Sequence, residues 1–251
     1  MTTLVNEDLV WCLRRLSKPI RDLLKARAGK LVVAGGFARA CVAREAVNDV
    51  DLFSPSADAA KACAFDLAKA GGKEGRDLRI IETDNAITVL SKPFPCQFIH
   101  RWTFAKPEDI VPSFDFTIAK AAFWYDGKDW QSLVDDRFYA DLAAKRLVYC
   151  APVRAEEAGG SMLRILKFYQ RGYRIPLDSL GAVVARLLGG VDMGMINELH
   201  LSPEEREMQI AKVLTGLLRE VDPNIDPEHI SHLPAMNEEP AAIRDAAKGE
   251  S

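Results

Sequence analysis

Leu31-Val32-Val33-Ala34-Gly35-Gly36-Phe37-Ala38-Arg39-Ala40 decides how this chain is read, together with Asn48-Asp49-Val50-Asp51-Leu52-Phe53 about a dozen residues later. Four apolar residues ending at a Gly-Gly pair read as a buried strand running into a tight turn. The Ala- and Arg-rich stretch from Phe37 to Val47 reads as a helix. The second motif alternates polar and apolar and reads as another strand, closed by the turn-forming Ser54-Pro55-Ser56. Side chains alternate faces along a strand, so Asp49 and Asp51 project together with Cα atoms roughly 6.5 Å apart. Val50 and Leu52 then point the other way, into the core.

Two carboxylates held in this manner make a hard-oxygen site suited to Mg²⁺. A Gly-Gly pair at a strand-to-helix turn lets backbone N–H groups approach phosphates closely, and the following helix adds its positive N-terminal dipole. A phosphate cradle and a metal site on adjacent strands are what phosphoryl or nucleotidyl transfer requires.

Outward from this centre, Asn6 to Ala28 reads as an amphipathic helix that Pro19 interrupts or kinks. Beyond the second strand come an Ala-rich helix from about Ala57 to Ala70 and three strand-like runs, Leu78 to Glu82, Ile87 to Leu90 and Gln97 to Trp102. Asp84-Asn85 supplies a hairpin turn between the first two runs. Phe114 to Phe123 is apolar with Asp115 and Lys120 inside it, and reads as strand, helix or a transition between them. Helices are expected at Ser161–Gly172, Asp178–Leu188 and Pro203–Val221, the last with Ser202 as N-cap. The plan is α+β, with a mixed sheet and flanking helices over residues 1–150, a helical region over 151–222 and an extended or mobile tail over 223–251.

Composition narrows the function classes. The 251 residues are 48% hydrophobic and 27% charged, as in a globular protein with a sizeable core. Thirty-three Lys plus Arg against 36 Asp plus Glu leave a formal charge of −3, which argues against coating nucleic acid through bulk positive charge. No apolar run reaches membrane-spanning length, and the first residues lack the order of a signal peptide, so the cytoplasm is the expected compartment. Five dispersed cysteines suit reduced, mostly buried thiols better than a disulfide frame or a zinc site. His229 and His232, near the C-terminus, have no cysteine beside them and read as unrelated to metal.

The string G-G-F-A-R-A…N-D-V-D-L-F resembles the signature of the DNA polymerase beta-like nucleotidyltransferase superfamily, and more narrowly the head and neck of bacterial poly(A) polymerases and tRNA CCA-adding enzymes. Phe114-Asp115-Phe116-Thr117-Ile118 is similar to that family's R-D-F-T-I-N segment. Asp135 and Asp141-Leu142 resemble its D…D-L stretch before a final strand, here Arg146 to Tyr149. Leu163-Arg164-Ile165-Leu166-Lys167-Phe168 is similar to the neck helix. The resemblance implies a polymerase-beta-type palm that moves a nucleoside monophosphate from an NTP to a hydroxyl and releases pyrophosphate. It implies two Mg²⁺ ions on Asp49 and Asp51, with Asp115 as third carboxylate. Gly35, Gly36 and Arg39 would hold the triphosphate, and Arg164 would face the nucleotide.

An RNA 3′ end, tRNA-like, is the acceptor the resemblance implies. A protein or small-molecule acceptor, as in nucleotidylating toxins and drug-modifying relatives, is the second reading, and a non-catalytic palm kept as a binding module is the third. The family's G-G-x-V-R-D ends here in Ala40, Phe114 replaces its Arg before the third Asp, and Ala119 replaces the Asn that follows. Lys120 reads either as a triphosphate contact or as half of a structural ion pair. Arg164, Lys167, Arg171 and Arg174 recur every three or four residues, which fits a nucleic-acid stripe or a solvated helix face. Trp124-Tyr125 and Phe168-Tyr169 read as base-stacking or as core aromatics.

Overall fold

The computed structural model describes residues 1–72, 76–152 and 158–221. It divides into two compact units, Met1–Arg154 with Tyr173–Ser179, and Ala155–Gly172 with Leu180–Ser251.

The first unit opens with two helices, α1 (Asn6–Arg15) and α2 (Lys18–Ala26), where one was expected. Pro19 does not kink a continuous helix; it stands at the first turn of α2, where its missing N–H costs nothing. Strand β1 (Val32–Ala34) follows, fully buried, and Gly35 turns the chain into α3 (Gly36–Val42). That helix ends five residues earlier than the composition suggests. Arg44 takes a positive φ of 57°, and the Glu45 N–H turns back to the Ala40 carbonyl, closing the helix early.

Strand β2 (Val50–Phe53) leads into α4 (Ala57–Gly71), capped by the Ser56 hydroxyl accepting from the Ala59 N–H. Then come β3 (Ile80–Glu82), β4 (Ala86–Val89), β5 (Cys96–Ile99), β6 (Ala121–Tyr125) and β7 (Trp130–Val134), with α5 (Phe138–Ala143) last. The seven strands form one mixed sheet in the order β3-β4-β5-β2-β1-β6-β7. Only β2 and β5 run parallel; the remaining neighbours are antiparallel. β1, in the middle, pairs Val33 with Leu52 on one side and with Phe123 on the other.

One face of the central strands carries Val32, Ala34, Phe53, Ala122 and Trp124, and the segment from Ile110 to Ala119 is laid over it. That segment is the transition the sequence left open: a bridge at Phe116, a 3₁₀ turn at Thr117–Ala119, then β6. Arg146 to Tyr149, expected as a final strand, makes only single bridges, Arg146 with Arg174 and Tyr149 with Phe116. All five cysteines are free thiols, four of them buried. Among the described residues no helix is long and apolar enough to cross a membrane.

The second unit carries α6 (Ala158–Gln170), most of α7 (Leu177–Leu188), α8 (Met193–Glu198) and α9 (Pro203–Val221). α8 is short and was not foreseen. At the start of α9, Ser202 and Glu205 form a reciprocal box: the Ser202 hydroxyl accepts from the Glu205 N–H at 3.2 Å, and the Glu205 carboxylate accepts from the Ser202 N–H at 2.9 Å. Ser202→Ala is expected to weaken this helix by about 1 kcal/mol, seen as faster amide exchange over residues 203–206 with little change in the first unit. The tail expected over 223–251, with His229 and His232, lies outside the described residues.

Candidate active site

Asp51 lies in β2 and Asp49 one residue before it. Gln97 of β5 is the register partner of Asp51, and its amide donates to the Asp49 carboxylate at 3.5 Å. Register partners present their side chains to the same face, so this bond sets both carboxylates on one face of the sheet. Val50 and Leu52, between and after them, are fully buried on the other face. Gln97 was not singled out from sequence; its one signal is a polar residue inside the otherwise apolar run Cys96-Gln97-Phe98-Ile99.

Gly35 brings the turn against this carboxylate pair. Its φ of 81° lies in the left-handed region that glycine favours. A Cβ added there would stand 3.0 Å from the Phe114 ring and 4.0 Å from Asp51 Oδ2. The turn, Phe114 and Asp51 therefore meet in one place, with Phe114 also packed edge-on against Phe53. Gly35→Ala is expected to cost about 1–2 kcal/mol from the backbone alone, plus the displacement of the ring. A lowered urea midpoint checks this, and Phe114→Leu in the same background is expected to recover only the steric part.

The Gly35 N–H donates to the Ala121 carbonyl at 2.8 Å, and Gly36 is the first residue of α3. Arg39 is buried, ion-paired with Glu45, and donates to the Tyr173 hydroxyl at 3.4 Å. Tyr173 in turn donates to Glu45 at 2.9 Å. This buried knot fastens α3 to a chain segment more than a hundred residues away.

Asp115 is buried at 2% exposure beside Phe114, and its carbonyl accepts from the Cys150 N–H at 2.7 Å. Among the described residues no group of three or more His, Cys, Asp or Glu side chains is gathered closely enough to hold a metal ion. Lys120 is buried and neighbours the Cys150 thiol. Burial pushes that thiol up, and the Lys120 ammonium pulls it partly back.

Asp141 is a structural anchor. Fully buried in α5, it accepts from Thr117 Oγ1 at 2.7 Å and from Arg146 Nε and Nη2 at 2.8 and 2.6 Å, with Arg137 Nε at 3.3 Å. Arg164 is half-buried and Lys167 exposed on α6 of the second unit. Because α6 ends at Gln170, Arg171 and Arg174 lie beyond it, and the four basic residues do not form one helical stripe. Trp124 and Phe168 are core residues, whereas Tyr169 is 57% exposed.

Comparison with known proteins agrees with this architecture. The profile described as "Gabija anti-defense 2 family protein" matches residues 5–145, just over half of the chain. No curated protein matches it. Among solved structures, the Thermotoga maritima CCA-adding enzyme complexed with tRNA is similar at 17% identity and TM-score 0.50, covering 89% of this chain and 57% of that one. A tRNA-processing enzyme with CTP is similar at 18% identity and TM-score 0.51, with 87% and 59% covered. A CCA-adding enzyme with ATP gives 18% and 0.50, with 85% and 54% covered. The chain thus spans little more than half the length of these enzymes, and at such identities the likeness is one of fold.

Proposed function

Because the chain belongs to the Gabija anti-defense 2 family and has the fold of CCA-adding nucleotidyltransferases, we propose that it transfers a nucleoside monophosphate from an NTP to a hydroxyl acceptor, releasing pyrophosphate. The observation that carries this reading is the convergence of Asp49, Asp51 and the Gly35–Gly36 turn on one face of the sheet.

The donor set fits a divalent cation. Mg²⁺ is commonly held by one or two carboxylates together with substrate phosphates and water, and two partly exposed carboxylates beside a glycine turn are such a half-site. A cation bound there would neutralise triphosphate charge and favour in-line attack on the α-phosphorus. Asp49 and Asp51 hold the ligand, Gln97 fixes the Asp49 carboxylate, and the N–H groups from Gly36 onward receive phosphate oxygens. Phe114 closes the site next to Asp51, where the related enzymes' motif has an arginine. Asp115, beside Phe114, is the third carboxylate of this scheme, and Arg39 is its triphosphate contact, held in place by Glu45.

The acceptor follows by analogy with the tRNA-bound and nucleotide-bound neighbours: an RNA 3′ end. The family's description favours a second reading, in which the acceptor is a protein or small molecule of a Gabija defence system. One assay separates them. The protein is incubated with Mg²⁺, each labelled NTP in turn and a mixed pool of small RNAs, with and without candidate defence proteins. Label on RNA supports the first acceptor and label on protein the second. No transfer under any of these conditions, with NTP binding intact, overturns the proposal.

A further inference from the structure

A second charged feature lies away from the carboxylate pair, where α1 meets α3. Trp11 of α1 is half-buried, and two guanidinium groups face its indole: Arg44 at 4.4 Å from the ring centroid and Arg15 at 6.0 Å. Arg15 also lies 5.2 Å from the Phe94 ring, itself half-exposed and anchored edge-on against Phe37 at 6.1 Å. The two guanidiniums are thus within about 10 Å of each other, roughly one Debye length at 0.1 M salt.

Two like charges at this range repel, and among the described residues neither has a carboxylate oxygen within 4.0 Å. Other arginines of the first unit are ion-paired, Arg27 with Asp66, Arg39 with Glu45, and Arg137 and Arg146 with Asp141. The indole N–H of Trp11 is buried and lacks a hydrogen-bond partner, a second unfilled polar group at the same spot. The positive field reaches inward as well. The buried Cys41 thiol is held below its ordinary value, first by its hydrogen bond with Cys12 and, against the push of burial, by the charges of Arg15, Arg44 and Arg39.

We propose that Trp11, Arg15, Arg44 and Phe94 form a phosphate-binding platform for a single-stranded nucleic acid, separate from the Asp49–Asp51 site. A guanidinium stacked on a ring keeps its N–H edge free for bidentate contact with phosphate oxygens. A strand offers one phosphate per nucleotide, which suits two adjacent cations better than a single anion does. Its bases match the half-exposed rings of Trp11 and Phe94, for which an acidic peptide has no counterpart. The platform stands whether or not the chain transfers nucleotides.

The test is fluorescence anisotropy of a 5′-labelled, mixed-sequence RNA of about 12 nucleotides against the full chain, read across a salt series. The wild type is expected to bind, and the Arg15→Gln/Arg44→Asn double variant to bind about tenfold or more weakly. Asn is chosen because it tolerates the positive φ at position 44. The slope of log affinity against log salt should flatten by about 1.4, the share of two phosphate contacts on a single strand. An Asp49→Ala/Asp51→Ala protein should bind the strand no more weakly than the wild type.

Circular dichroism and melting establish that each variant is folded. Should the double variant unfold, Arg44→Asn alone is read the same way with half the slope change. Competition by ATP without Mg²⁺ that depends on the same two arginines supports the phosphate site and assigns it to free nucleotide rather than a strand. Equal binding and equal slope for wild type and double variant overturns the proposal. So does absence of strand binding by the wild type, or tighter binding of labelled polyglutamate than of RNA.

Discussion

Asp51→Ala is expected to fold and melt like the wild type and to lose nucleotide transfer on the order of a thousand-fold. Asp51 is partly exposed on the central strand β2, so its removal opens no closed cavity in the core. Val50 and Leu52, which carry the packing of β2, are untouched. What disappears is one of the two carboxylates available to the divalent cation that would accompany the triphosphate. Asp49→Ala should behave alike, and the double variant should be scarcely worse than either single one, since groups acting as a unit do not add. Gln97→Ala is milder, because it frees the Asp49 carboxylate without deleting it. Time courses of pyrophosphate release on the four variants, alongside their melting curves, decide the matter. A fully active Asp51→Ala protein would falsify the assignment of this site.

The largest loss of stability is expected at Asp141, outside that site. Its carboxylate is fully buried and ties Thr117, Arg137 and Arg146 together, so it joins the turn before β6 to α5 and to the segment that follows. Removing one side of such a pair usually costs about 3–5 kcal/mol. Both arginine side chains are about half exposed and can be rehydrated, which places Asp141→Ala near the lower figure. About 3 kcal/mol corresponds to a melting point lowered by roughly 6–12 °C in a chain of this size. Arg137→Ala, on the exposed limb, should cost less than about 1 kcal/mol. Melting temperatures of the two variants in that order support the anchor, and a wild-type melting point for Asp141→Ala would remove it.

Much of the first unit was legible because its signals are local. The Gly-Gly pair ends β1, alternation sets β2, and Asp84-Asn85 joins β3 to β4, all within windows of a few residues. What escaped depends on contacts distant in sequence. Ala and Arg favour helix as far as Val47, yet the chain turns at Arg44, so that Glu45 can meet Arg39 and Tyr173. No local rule says that the arginine after a glycine turn will be claimed by a tyrosine 134 residues away. Phe114 in place of the family's arginine was visible as a letter, but its seat against Gly35 was not. Likewise, Asp115 sits in a recognisable motif, while its burial beside Phe114 is a property of the packed segment. Pro19 was read correctly as a break and wrongly as a kink, because one proline serves as an interruption or as a beginning depending on the two residues before it.

The place of β1 in the sheet bears on how the polypeptide is made. Its Leu52 neighbour leaves the ribosome early, whereas its other neighbour, Phe123, is translated about 70 residues later, several seconds at about 5–20 residues per second. Throughout that interval the most apolar strand of the nascent chain keeps one hydrogen-bonding edge open, the situation in which strands recruit one another between molecules. Nothing encoded upstream of β6 can close it. Any expression strategy that truncates the chain before Tyr125, or slows translation between β2 and β6, prolongs exposure of that edge and invites inclusion bodies, whereas lower temperature and chaperone supply during those seconds protect it.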